Sequence, residues 1–155
     1  MVIDRVTPIE YRDYGEMFKT YINALCTEIE PYEEECFDWA LFYSYWNDPN
    51  IEHYFVKYRG QVCGFISISN DAPVGADYHI VDTYIKPEYR RKGIGLKMAH
   101  KIQAKYGKRI TLQVKWGNRV AMAFWERAFS EWHNVSDRYN QLDNEWCMMW
   151  AFEKF

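Results

Sequence analysis

At 155 residues, with 48% hydrophobic and 19% aromatic content, the chain can bury one substantial core and is short for two, so a single domain over residues 1–155 is expected. Few prolines and the lack of a polar tract exclude a disordered chain. The formal net charge of −3 conceals a segregation: between Thr20 and Val56 eight acidic residues stand with no Lys or Arg, while from Lys86 to Arg119 seven lysines and four arginines face Glu88 alone. One end suits a cation and the other an anion, although solvated helix faces account for such runs equally well.

The opening MVIDRVTPIEYRDY carries charges every few residues and no apolar stretch leading to a cleavage site. With no apolar run of roughly 18 residues either, a cytoplasmic protein without a membrane partner is expected. Cys26, Cys36, Cys63 and Cys147 form no CxxC pair and the four histidines form no HExxH, so reduced thiols and no metal are expected.

Residues 8 to about 47 read as two helical pieces broken near Glu30-Pro31, because proline disfavours helical backbone in the residue before it. The second piece is dense in rings, from Phe37 and Trp39 to Tyr45 and Trp46. HYFVKYRGQVCGFISIS then reads as a hairpin turning at Arg59-Gly60, and YHIVDTYIKP as a third strand ended by Pro87. From Leu96 to Tyr106, Met98, Ala99, Ile102 and Tyr106 recur at helical spacing opposite a stripe of Lys97, Lys101 and Lys105, and Gly107 sits where a helix stops. RITLQVKW alternates as a half-buried strand, a helix containing Phe124 and Trp125 follows, and the ending suggests two more strands. This order implies one α/β domain with a mixed sheet.

The turn YRRKGIGLKM joins a strand to a helix through two glycines and three basic residues. Such a turn leaves backbone N–H groups unpaired at the positive end of a helix dipole, a place that binds phosphate. Neither GxxxxGK[ST] nor GxGxxG with a following acid is present. In context, IVDTYIKPEYRRKGIGLKM resembles the coenzyme A signature of the GCN5-related N-acetyltransferase (GNAT) family, Arg/Gln-x-x-Gly-x-Gly/Ala, which Arg90-Arg91-Lys92-Gly93-Ile94-Gly95 matches in full. WGNRVAMAFWERAF resembles the family's later Asn-x-x-Ala segment, and matches extend over roughly residues 50 to 130.

The resemblance implies a GNAT-like sheet, mixed and mostly antiparallel, twisted and flanked by helices on both faces. It also implies acetyl-CoA as co-substrate, with loop amides from Arg91 to Leu96 on its phosphates. Tyr84 and Ile85 would pair with its pantetheine arm as an added strand does, and Asn118 would contact its pantetheine or phosphate region. Transfer to an amine needs a base, an oxyanion donor and release of thiolate. By the resemblance Asp82 stands where the family has a base, with His79, Glu28 and Glu30 as rivals, and Ile85 N–H would face the oxyanion. Trp125 occupies the position of the usual general-acid tyrosine. An indole N–H donates a hydrogen bond without giving up its proton, so the thiol leaves largely unaided or Tyr139 serves instead.

The acidic, ring-rich leading segment, with Glu28, Glu30 and Tyr32, would border the acceptor, which suits a cationic amine such as a polyamine, an aminoglycoside-like molecule or a peptide amine. Alternatives are an acyl-CoA binder without transferase activity and, less favoured, a nucleic-acid surface on the basic 86–119 stretch. Trp146 and Trp150 are candidates for the seam of a homodimer.

Overall fold

The computed structural model describes residues 1–29, 37–115, 117–134 and 147–154. In chain order they form β1 (Val2–Arg5), α1 (Tyr11–Ile29), α2 (Trp39–Trp46), β2 (Ile51–Tyr58), β3 (Gln61–Ser69), β4 (Tyr78–Ile85), α3 (Ile94–Lys105), β5 (Arg109–Lys115), α4 (Arg119–Ala128), β6 (His133–Asn134) and β7 (Cys147–Glu153). These strands make one sheet in the order β1-β2-β3-β4-β5-β7-β6, antiparallel except where β4 meets β5. The expected mixed, mostly antiparallel sheet with helices on both faces is therefore present. Strand β1 adds to the expected order; its four residues are too few for a period to be read.

The two faces of the sheet carry different cores. Ile66, Ile68, Ile80, Leu112 and Val114 pack against Ile94, Met98 and Ile102 of α3 and Trp125 of α4. On the other face Phe55, Phe65 and Tyr84 lie under Tyr14 and Phe18 of α1 and Phe42 of α2. At about 1.5–3 kcal/mol per fully buried large side chain, these two layers supply most of the drive to fold. The β2–β3 hairpin turns where expected, with Arg59 at φ 52° and Gly60 at φ 79°, the pair of positive φ values that matches strand twist.

Several charges of the segregated runs have structural employment. Asp38 caps α2 by accepting from Ala40 N–H at 2.7 Å, and Asp48 accepts from Asn50 N–H at 2.9 Å. Glu52 accepts from the hydroxyls of Tyr54 (2.7 Å) and Tyr106 (2.9 Å) and pairs with Arg5 at 3.2 Å. Lys105, one of the α3 stripe, donates to both hydroxyls at 2.8 and 2.9 Å.

Two expectations are corrected here. Cys26 is disulfide-bonded, so the thiols are not all reduced, and Cys63 is the free cysteine among the described residues, buried and donating to Val56 O at 3.1 Å. Trp150 is 4% exposed in the core under α3 and α4, so it forms no dimer seam; an isolated aromatic in a strand looks the same in sequence whether it faces solvent or a helix. Trp116, Tyr139 and Trp146 lie outside the described residues.

Candidate active site

The site begins with one extra residue. In the β3–β4 ladder Ile68 lies opposite Ile80 but Ser67 lies opposite Asp82, so Val81 is a bulge, and a bulge bends its strand and sharpens its twist. The β4–β5 ladder ends at the same place: only Tyr78, His79 and Ile80 pair, with Ile110, Thr111 and Leu112. Beyond it β4 runs on to Ile85 and β5 to Lys115 without pairing to each other, which leaves a wedge between two strands in mid-sheet.

The register shows which backbone groups look into that wedge. Lys86 N–H donates to Cys63 O at 2.9 Å while Ile85 lies opposite Gly64, which makes Ile85 and Gly64 a non-hydrogen-bonded pair. The amides and carbonyls of Ile85 and Thr83 therefore point away from β3. Ile85 O is taken by Arg90 Nε at 2.8 Å, and Ile85 N–H and the main chain of Thr83 are turned toward the open side. Tyr84 stands one residue out of phase: its main chain faces Phe65 of β3, and its ring lies buried beneath α1 and α2. Thr83, rather than Tyr84, thus shares with Ile85 the edge on which an extended ligand would form an added strand.

The turn that follows is tied to the end of the same edge through the Arg90 bond to Ile85 O. Gly93 caps α3 at φ 73°, in the left-handed region where a side chain is strained, and no side chain satisfies the first turn. The first helical bond runs from Lys97 N–H to Gly93 O, leaving the amides of Ile94, Gly95 and Leu96 without intrahelical acceptors. Gly95 has a different need from the one its motif suggests: a Cβ there would sit 3.0 Å from Phe124 Cε2, so its smallness lets α4 close on α3. Arg90 is held by Ile85 O and lies over the Tyr84 ring at 5.6 Å, and Lys92 donates to Glu88 O at 2.8 Å. Of the three basic side chains Arg90 and Lys92 are thus tethered locally, and Arg91 is exposed at φ 62°.

A cleft of about 110 Å³ fills the wedge, with Tyr21, Asp82, Thr83, Lys115, Asn118 and Trp125 in its wall. The bulge decides Asp82's surroundings: alternation alone would put it on the same face as Ile80, whereas it faces α1 and α2 with Tyr84. Tyr21 Oη donates to Asp82 Oδ1 at 2.9 Å. Burial pushes the Asp82 carboxyl above its ordinary value, and the tyrosine hydroxyls of Tyr21 and Tyr45 oppose that shift. Trp125 is 4% exposed, packed against Phe124 and Phe129 with ring centres at 4.8 and 5.9 Å. Asn118 caps α4, its Oδ1 accepting from Ala121 N–H at 3.0 Å.

The remaining sequence candidates fall elsewhere. His79 bonds Thr111 Oγ1 through Nδ1 at 3.0 Å within the closed part of the β4–β5 ladder, where burial lowers its proton affinity. Glu28 lies in the last turn of α1 with its side chain outside what is described, and Glu30 and Tyr32 lie outside the described residues. Sequence reasoning missed Tyr21, Thr83 and Lys115. Tyr21 sits on a helix distant in sequence, so only packing reveals it; Thr83 had a signal, since it lies near the end of the strand that runs into the glycine turn, and Lys115 ends the strand after α3.

Comparison with known proteins bears on the family and the fold. The model of the acetyltransferase (GNAT) family matches residues 17–130. No curated protein matches significantly in sequence. Among solved structures, an acetyltransferase from Thermus thermophilus superposes with a TM-score of 0.69 at 15% identity, over 97% of this chain and 96% of that one. A ribosomal-protein-alanine N-acetyltransferase from Brucella melitensis gives 0.63 at 12%, over 100% of both chains. A spermidine N-acetyltransferase mutant from Vibrio cholerae gives 0.63 at 12%, over 99% and 95%. At such identities the likeness is one of fold.

Proposed function

Since the chain belongs to the acetyltransferase (GNAT) family, we propose that it moves an acetyl group from acetyl-CoA to an amine in a ternary complex. The observation that carries this reading is an unpaired β4 edge at Thr83 and Ile85 that leads, through a turn tied to Ile85 O by Arg90, into the uncapped start of α3. An extended arm on Thr83 and Ile85 would deliver its phosphates to the amides of Ile94, Gly95 and Leu96, with Arg91 beside them. This fits an anionic, strand-like co-substrate and needs no metal.

Each chemical step then has a residue. Asp82, half-buried and held by Tyr21, takes a proton from the attacking amine, and its raised proton affinity suits that task. Ile85 N–H, turned into the wedge, stabilises the oxyanion as the amine adds to the thioester carbonyl. Trp125 shapes the wall near the departing sulfur; a free thiol has a pKa of about 8.5, so thiolate can leave with little help.

For the acceptor we favour a cationic amine in the cytoplasm, supported by the ring of Tyr21 beside Asp82 and by the acidic run that includes Glu28 and Glu30. Two structures of similar fold are named for acetylating spermidine and a ribosomal-protein alanine, both amines. A second reading, acyl-CoA binding without transfer, is favoured by Trp125 in place of a proton-donating residue.

Calorimetric titration with acetyl-CoA, in parallel with an Arg90→Ala plus Gly93→Glu variant, tests the first half. Binding by the wild type that the variant loses supports the site, and the absence of heat in both removes it. A screen of cationic, neutral and anionic amines for thiol release tests the second half; equal turnover of all three would sink the cationic acceptor, and none at all would favour the binding-only reading.

A further inference from the structure

Behind Asp82 lies a polar cluster inside an otherwise aromatic layer. Tyr14 Oη and Ser67 Oγ are 2.6 Å apart, and His53 Nδ1 lies 3.1 Å from the same Ser67 oxygen. Ser67 is the ladder partner of Asp82, so the hydroxyl and the carboxyl occupy neighbouring strands on one face. Over them stands Tyr45 of α2, its ring fixed against Phe18 at 5.1 Å and His53 at 4.9 Å. The Tyr45 hydroxyl is buried, has no partner at full hydrogen-bond geometry among the described residues, and is close enough to Ser67 and Asp82 to interact with both.

A buried hydroxyl without a partner is costly, and the possible acceptors here differ in capacity. Ser67 Oγ already serves Tyr14 and His53, whereas an ionised carboxylate has about four acceptor positions and Tyr21 uses one. We propose that Tyr45 is a positioning residue for Asp82: its hydroxyl donates to the carboxylate when Asp82 is ionised, directly or through one water, and Ser67, Tyr14 and His53 form the backing that holds it there. The inference rests on the reading of Asp82 as the base. Two tyrosines, one from each leading helix, then orient the carboxylate toward the wedge and favour its ionised form against the burial that opposes it. The titratable groups around Asp82 are Tyr14 and Tyr21 from α1, Tyr45 from α2, His53 from β2 and Lys115 in the cleft wall from β5. Burial holds His53 neutral with its pKa near 4, so it supplies no charge in the neutral range.

The test follows the Asp82 side-chain carbon by NMR in the whole protein carrying ¹³C-labelled aspartate, with Asp82→Asn identifying the resonance. The titration midpoint of the wild type should lie above the ordinary carboxylate value. Tyr45→Phe should raise it by about one unit, a tenfold gain in proton affinity, and Tyr21→Phe should do likewise. Tyr14→Phe, whose hydroxyl bonds Ser67 and reaches Asp82 only at longer range, should move it by less than half as much as Tyr45→Phe, a distinction that a purely structural Tyr45 would not produce. Should Tyr45→Phe fail to fold, Ser67→Ala serves: it removes the competing acceptor and should lower the midpoint. A midpoint unmoved by Tyr45→Phe while Tyr21→Phe shifts it, or unmoved or raised by Ser67→Ala, overturns the assignment of Tyr45. A wild-type midpoint in the ordinary carboxylate range would instead remove the premise about Asp82.

Discussion

Replacing Ile85 by proline deletes one N–H and tests the oxyanion assignment almost in isolation. That N–H points into the wedge and not at β3, so the β3–β4 ladder loses no bond, and the strand conformation of Tyr84 is the one a following proline requires. Ile85 is only partly buried against the α3 and α4 core, and exchange of its side chain for the smaller ring should cost about 1 kcal/mol of stability. Turnover should suffer far more, because loss of one oxyanion donor costs about 10²–10³ in kcat. The assay is thiol release with an amine that the wild type accepts, beside calorimetry with acetyl-CoA and a thermal melt. Tyr84→Pro is the contrasting variant: its N–H lies in the ladder, so it should lose roughly 3 kcal/mol and fold poorly. Turnover within threefold of wild type in a folded Ile85→Pro protein that still binds acetyl-CoA would refute the assignment.

Asp82→Asn should lower kcat by about 10²–10⁴ as general-base catalysis is lost, while the wild-type rate climbs as pH rises through the raised Asp82 value. The same shift has a stability consequence of defined sign. The folded state holds the proton more tightly than the unfolded chain, so wild-type stability should fall as pH rises from near 3.8 through the folded value, and Asp82→Asn, which cannot ionise, should lack that loss in paired denaturant titrations. Trp125→Phe removes the indole N–H and keeps an aromatic ring; kcat should drop less than about tenfold, since a thiol of pKa about 8.5 departs unaided, and a drop beyond a hundredfold would assign the indole a direct part. Arg91→Ala should weaken acetyl-CoA binding by about threefold to tenfold in low salt and less at high ionic strength, because an exposed charge is screened within about 10 Å at 0.1 M.

Much of the fold was legible because its signals are local. The hairpin turn at Arg59-Gly60, the start of α3 at the glycine turn and its end before Gly107 each follow from residues within a few positions of the boundary. The strand-to-helix turn with its uncapped α3 start was legible for the same reason, since strand, proline, basic turn and glycine pair are contiguous. Three features lay beyond such reading. Trp150 could not be told from a surface aromatic, the role of Gly95 depends on a ring 29 residues away, and Tyr21 reaches Asp82 across 61 positions. Each depends on the packing of one element over another, which leaves no period in the sequence. The charge runs misled in part for a related reason: a count of carboxylates cannot separate Asp38 capping a helix or Glu52 bonded to two tyrosines from one that faces a ligand.

The bulge at Val81 ties the two halves of the site together. Without that residue β4 would keep its alternation, and the carboxyl of Asp82 would turn to the side of Ile80, toward the apolar side chains of Ile94, Met98 and Ile102 and away from the hydroxyl of Tyr21. A carboxylate placed there would be protonated or would destabilise the core. With the bulge, Asp82 crosses to the face of Tyr21 and Tyr45, where donors offset its burial, and the added twist falls where β4 parts from β5. One inserted residue therefore falls where the β4 edge opens and sets the carboxyl in the wall of the same cleft. The proposed base and the proposed binding edge are consequently coupled through backbone register, so a change that restores regular pairing at Val81 should remove both together, whatever side chains remained.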